Sequence, residues 1–198
     1  MKVYDRLAEG FVAEGATSTF GLMGACNAWW MHCMHQRGVK LYDVRYEGAG
    51  LFMADGWARA TNQVGVATAT DGPGTAQMSA ALITASRALS PVVAFVGEPA
   101  TTFPDDAQQL DHARFAAACE AGFVRLTAPQ LADEVVRKAF YLARTESRPV
   151  LLSCPIETSA RRYKALGRAH VLRLYVRNFW SETIHHRPKD VVHHDVRL

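Results

Sequence analysis

Hydrophobic positions along the first 155 residues follow two alternating periods. Val3, Leu7, Phe11 and Val12 recur at helical spacing and Gly15 follows as a stop, which predicts a helix over 3–14. Residues 17–22 read as a short strand, 26–36 as a second helix ended by Gly38, and 39–44 as a second strand. A helix over 48–61 carries small residues at Ala49, Ala54, Ala58 and Ala60. Residues 64–70 are β-like, and the Gly72-Pro73-Gly74 turn leads into a helix of Ala, Ser and Met reaching about residue 89. Residues 91–96, 124–127 and 150–153 supply three more strands, with a helix at about 129–146 before the last.

Six strands separated mostly by helices, in short apolar runs, are expected to lie buried between covering layers. The fold class that follows is α/β: a three-layer, open, mainly parallel six-stranded sheet with helices on both faces, joined by right-handed crossovers. The stretch 98–110 has two prolines and no periodicity, and it follows the fourth strand. It reads either as a ligand-binding loop at the carboxyl edge of the sheet or as a solvated connection.

After Pro155 the rhythm stops. Residues 171–176 could form one strand or short helix, followed by Trp180, paired histidines and scattered arginines. Residues 161–198 hold nine Lys/Arg against three Asp/Glu, a charge of +6, while the first 160 residues carry −3. The overall +3 therefore describes an acidic body with a basic, His-rich appendix. This removes the argument from net charge to nucleic acid. The expected organisation is a domain over 1–157 and an irregular tail over 158–198 that suits a truncated or frame-shifted end.

Composition narrows the class further. With 49% hydrophobic and 21% charged residues, the chain is expected to fold rather than remain disordered. No run of eighteen apolar residues occurs, so no transmembrane helix is expected, and residues 1–6 lack a signal-peptide core. Cys26, Cys33, Cys119 and Cys154 show no CxxC spacing, which suits reduced thiols and a cytoplasmic location.

Several candidate chemistries are weak. Gly48-Ala49-Gly50 and Gly72-Pro73-Gly74 both lack the third glycine of a dinucleotide fingerprint, and no Walker A motif is present. His32-Cys33-Met34-His35 places adjacent ligand types on diverging faces of a helix, and no four-ligand zinc spacing exists, so no metal site is expected. The junction Val44-Arg45-Tyr46-Glu47-Gly48-Ala49-Gly50 is stronger. There Glu47 ends a strand at the ligand-binding edge and opens a helix of small residues. It could share a proton with a heterocyclic nitrogen, or simply complement the helix dipole.

Arg45-Tyr46-Glu47 followed by Ala54-Asp55-Gly56-Trp57-Ala58-Arg59-Ala60-Thr61 resembles the signature of thiamine-diphosphate-dependent enzymes. Gly72-Pro73-Gly74, the helix to Ala88 and Pro91-Val92-Val93 resemble the same family's turn, helix and strand. Gln108-Gln109-Leu110-Asp111 is similar to its Phe-Gln-Glu-x-Asp segment, and Arg148-Pro149-Val150-Leu151-Leu152 with Pro155 to its last strand. The likeness is to the N-terminal pyrimidine-binding domain of the acetolactate synthase and 2-oxo-acid decarboxylase group. Tyr46, Gln77 and Ala107 depart from the residues usual in relatives, which blurs the subfamily and substrate more than the fold.

The resemblance implies that Glu47 is catalytic, hydrogen-bonding the pyrimidine N1′ of thiamine diphosphate and favouring its imino tautomer. It implies that Gly24, Gly72, Pro73, Gly74 and Gln77 shape the cofactor pocket, and that Gln109 faces substrate. Gly24 is equally readable as a turn glycine. The family holds the diphosphate through Mg²⁺ on a Gly-Asp-Gly motif in another domain, and that motif is absent here. Mg²⁺ would thus come with a missing domain or partner, and dependence on FAD is left open. Expected partners are a second copy in a homodimer, or a complementary diphosphate-binding domain or subunit, and a 2-oxo acid, with no nucleic acid and no membrane. Three readings of the chain stand side by side: part of a longer enzyme, a small subunit, and a non-catalytic α/β scaffold.

Overall fold

The computed structural model describes residues 2–99 and 108–155. The chain divides into two units, Met1–Thr158 and Ser159–Leu198, and the first holds every described residue. The tail expected over 158–198, and most of the loop expected over 98–110, lie outside the described residues.

The element order is α1 (Val3–Ala13), β1 (Ser18–Gly21), α2 (Ala28–Gln36), β2 (Lys40–Asp43), α3 (Glu47–Thr61), β3 (Gly65–Ala69), α4 (Gly72–Ala76), α5 (Ser79–Arg87), β4 (Val92–Glu98), α6 (His112–Ala118), β5 (Gly122–Arg125), a 3₁₀ turn at Pro129–Leu131, α7 (Ala132–Glu146) and β6 (Val150–Pro155). The six strands form one sheet in the order β2-β1-β3-β4-β6-β5, and every pairing is parallel. This is the three-layer α/β fold expected from the strand–helix alternation.

Alternate residues of β4 feed the two faces. Val93 and Phe95 point into a core completed by α1, α2 and α7, where Phe11 meets Trp30 and Phe140 edge-on at 5.0 and 5.3 Å. Val92, Ala94 and Val96 point the other way, against Leu51, Ala54 and Ala58 of α3 and Ala81, Leu82 and Ala85 of α5. Both faces are therefore dry, which explains why β3 and β4 show no polar alternation.

Three elements differ from the sequence reading. β2 is not a buried strand: it lies at the sheet edge, and Lys40, Tyr42 and Asp43 are exposed. The helix expected after the Gly-Pro-Gly turn is two helices, α4 beginning at Gly72 itself and α5, separated by Gln77 and Met78. The α6 helix was not expected. It is opened by Asp111, whose side chain accepts from the Arg114 N–H at 3.0 Å.

Candidate functional site

The chain leaves β1 for the sheet edge at β2 and returns through α3 to β3 on the other side of β1. That reversal leaves a crevice at the carboxyl ends of β1 and β3, where open α/β sheets bind ligands. α3 reaches it because Gly50 lies against β1: a Cβ there would sit 3.0 Å from the Gly21 Cα. Glu47, the first residue of α3, is thereby placed at the crevice, half-buried.

Glycines set the shape of this crevice. A Cβ on Gly74 would lie 2.7 Å from Thr70 Cγ2 and 3.2 Å from Glu47 Oε1. A Cβ on Gly24 would lie 2.6 Å from the Cβ of the same Thr70. Gly24, Glu47 and Gly74, drawn from three separate segments, thus converge around Thr70. Among the described residues the Glu47 carboxylate takes neither a hydrogen bond nor an ion pair. It is an acceptor left open toward the crevice.

The floor is polar and closely tied. Asn27, fully buried, accepts from the Gly24 N–H at 2.7 Å and donates to the Leu22 carbonyl at 3.0 Å and to Thr68 Oγ1 at 3.1 Å. Thr68 passes its own proton to the Phe95 carbonyl at 2.8 Å, so the loop carrying Gly24 is anchored to β3 and β4. Asp71, 6% exposed, accepts from Thr70 Oγ1 at 3.0 Å, from the Cys26 thiol at 3.2 Å and from the Gln108 amide at 2.8 Å to each carboxylate oxygen. Burial, reinforced by Asp71, pushes the Cys26 thiol up to about 12, so it stays a donor.

The remaining expected site residues spread around this centre. Gly72 adopts φ +37°, and a Cβ on it would meet the Gln108 carbonyl oxygen at 2.1 Å, so the turn requires glycine on both grounds. Pro73 is exposed in the first turn of α4, where a missing N–H costs nothing. Gln77 is exposed and contributes its backbone: its carbonyl accepts from Tyr46 Oη at 3.0 Å, which ties the start of α3 to the end of α4.

Gln109 does not join them. It lines a separate polar cavity of about 390 Å³ with Glu98, Asp111, His112, Phe123 and Arg125. Glu98 ends β4 almost fully buried, paired with Arg125, and lies 3.8 Å from His112 Nδ1. A third cavity, of about 440 Å³ and mostly apolar, opens on the α1–α2 side between Tyr4, Trp29, Trp30, Phe95 and Leu126. His32 packs edge-on against Trp29, and no group of three His, Cys, Asp or Glu suited to a metal ion occurs among the described residues. Asn27, His112 and Arg125 escaped the sequence reading. They are brought together from distant segments, and neither periodicity nor a motif marks them.

Residues 1–115 match the family described as thiamine pyrophosphate enzyme, N-terminal TPP binding domain. The chain is 31% identical over 156 residues to sulfoacetaldehyde acetyltransferase of Castellaniella defragrans, covering 76% of this chain and 26% of that protein. It is 28% identical over 158 residues to the probable acetolactate synthase large subunit of Methanocaldococcus jannaschii, covering 78% and 27%. To glyoxylate carboligase of Escherichia coli O157:H7 it is 28% identical over 162 residues, covering 79% and 27%. The chain spans about a quarter of the length of these relatives.

Proposed function

Because the chain belongs to the thiamine pyrophosphate enzyme family, of which it carries the N-terminal, pyrimidine-binding part, we propose that the crevice at Glu47 receives the aminopyrimidine ring of thiamine diphosphate. The observation that carries this reading is the Glu47 carboxylate, which has no partner among the described residues and lies where Gly24 and Gly74 pack closely on Thr70. The ring nitrogen of a flat heterocycle needs that acceptor.

The residues present fit the group. Glu47 would hold a proton shared with the ring nitrogen N1′. Gly24 and Gly74 would let their segments pack closely on Thr70 beside the ring, and the Tyr46–Gln77 bond would keep the carboxylate aimed. The bound cofactor supplies the carbanion chemistry, while the protein orients and tunes it. In this reading the diphosphate and Mg²⁺ are held by another domain or chain, either a diphosphate-binding subunit or the partner half of a homodimer. Decarboxylation or carboligation of a 2-oxo acid takes place only in that assembly.

The test combines the 198-residue chain with a chain carrying a diphosphate-binding domain of the family. Exchange of the cofactor C2 proton is then followed by NMR. Glu47→Gln is nearly isosteric and is expected to slow exchange by roughly 10²–10⁴-fold, the range of a general acid–base contribution. Equal exchange in both would leave Glu47 as a helix-start carboxylate. Turnover of a 2-oxo acid by the purified chain alone would show that the diphosphate site is not supplied from outside.

A further inference from the structure

His112 is 3% exposed, at the start of α6, and has no part in the reading above. Its two ring nitrogens face different worlds. Nε2 lies 3.4 Å from Thr75 Oγ1, and Nδ1 lies 3.8 Å from Glu98 Oε1. Thr75, fully buried in α4, gives its one hydroxyl proton to the Thr70 carbonyl at 2.8 Å. Its oxygen can then only accept, so the contact with His112 requires a proton on Nε2. Thr70 is the residue on which Gly24 and Gly74 close, beside Glu47.

From this geometry we propose that His112 is a positioning residue for the Glu47 crevice: its Nε2–H donates to Thr75, commits the Thr75 hydroxyl to the Thr70 carbonyl, and so fixes the turn that forms the wall opposite Glu47. The opposite tautomer would break the chain of bonds. With the proton on Nδ1 and directed at Glu98, Nε2 becomes an acceptor, the Thr75 hydroxyl turns toward it, and the Thr70 carbonyl loses its partner. Glu98 does not take that proton in this geometry: Arg125 from β5 pairs with its Oε2, while Oε1 lies 3.8 Å from Nδ1, beyond hydrogen-bonding distance.

Charge on the ring follows the same logic. Burial holds His112 below the usual histidine range, with Arg125 adding to the effect and Glu98, Asp71 and Asp111 opposing it. At neutral pH the ring is therefore uncharged and its tautomer decides the network. Protonation in acid adds Nδ1–H beside Glu98 and sets the imidazolium in competition with Arg125.

The proposal gives the Glu47 crevice a means of being held in shape, and its meaning rests on that reading. The experiment does not, since it uses the 198-residue chain without cofactor. Long-range ¹H–¹⁵N correlation spectra at pH 7.5 are expected to show His112 as the Nε2–H tautomer. The Gly74, Gln77 and Met78 amides, all hydrogen-bonded within the turn, are expected to exchange about tenfold faster in His112→Asn, whose amide stands nearer the Nδ1 position. His112→Gln, which restores a donor near the Nε2 position, is expected to return exchange toward wild type. Thr75→Val is expected to speed exchange of the same amides while leaving His112 folded and buried. An Nδ1–H tautomer, or equal exchange in His112→Asn and His112→Gln, would overturn the proposal. Glu47→Gln is expected to leave tautomer and exchange unchanged, so failure here is distinct from failure of the cofactor assignment.

Discussion

Replacing Asp71 by Asn keeps the shape of the floor of the crevice and removes its charge. The carboxylate accepts from three donors: the Thr70 hydroxyl, the Cys26 thiol and the Gln108 amide. An asparagine must place an NH₂ group where one of the oxygens stood. On the Thr70 side the hydroxyl can reverse and accept, but the Gln108 amide then shares a single remaining oxygen with Cys26. Bonds to a charged acceptor contribute roughly 1.5–3 kcal/mol against 0.5–1.5 for neutral ones, so about 1 kcal/mol is lost at each of two surviving contacts. A misdirected donor costs about 1–3 kcal/mol more, while relief of the buried charge returns part of the total. The expected loss is about 2–4 kcal/mol, read as a lower urea midpoint at unchanged slope. In heat it corresponds to roughly 4–16 °C for a chain of this size. A loss below about 0.5 kcal/mol, or a gain, would refute the reasoning, since burying the carboxylate would then cost as much as its hydrogen bonds contribute.

Three further outcomes are expected. Gly74→Ala places a methyl 2.7 Å from Thr70 Cγ2 and 3.2 Å from Glu47 Oε1; overpacking should cost about 1–3 kcal/mol in urea unfolding and abolish cofactor-dependent C2 exchange in the reconstituted assembly. Burial pushes the Cys26 and Cys154 thiols up to about 12, so at pH 8 both should alkylate on the order of 10³-fold more slowly than an ordinary cysteine, as peptide mass spectrometry would show. The His112 pKa is depressed in the folded state, so the unfolded chain binds the extra proton first, and stability should fall as pH drops below about 6.5. Urea midpoints between pH 7.5 and 5 should show that loss in wild type and a flatter profile in His112→Gln.

The legible parts of the fold were those whose physics is local. β3, β4 and β6 are buried on both faces, so they stand out as apolar runs, and α1 and α7 carry one apolar stripe each. β2 misled because Val39, Leu41 and Val44 are apolar, yet alternation with Lys40, Tyr42 and Asp43 is the signature of an edge. α6 was invisible because His112–Ala118 is short and alanine-rich, with little periodicity, and depends on the Asp111 cap. At the crevice, Glu47 and the Gly-Pro-Gly turn were marked by the family resemblance of their motifs, since their place at strand–helix junctions alone suits a plain helix start equally well. The ties that hold them were not: Thr70 meets Gly24, His112 reaches Thr75 and Asp71 reaches Gln108 only after the sheet has brought their segments together.

Among the described residues, the two strands that end the sheet, β2 and β5, are four residues long each, while the central β4 has seven. An unpaired edge invites another chain to extend the sheet, and short edges bearing charge resist that. β2 exposes Lys40 and Asp43 there, and β5 ends on Arg125. Copies of this domain are thus discouraged from joining side by side through backbone ladders. Exposed apolar side chains lie instead on helix surfaces, Phe52 and Met53 of α3 and Ile83 of α5 among them. In the reading proposed above, the neighbours the domain accepts would be decided partly at the sheet margins, one of which, β2, runs beside the strand whose end borders the crevice.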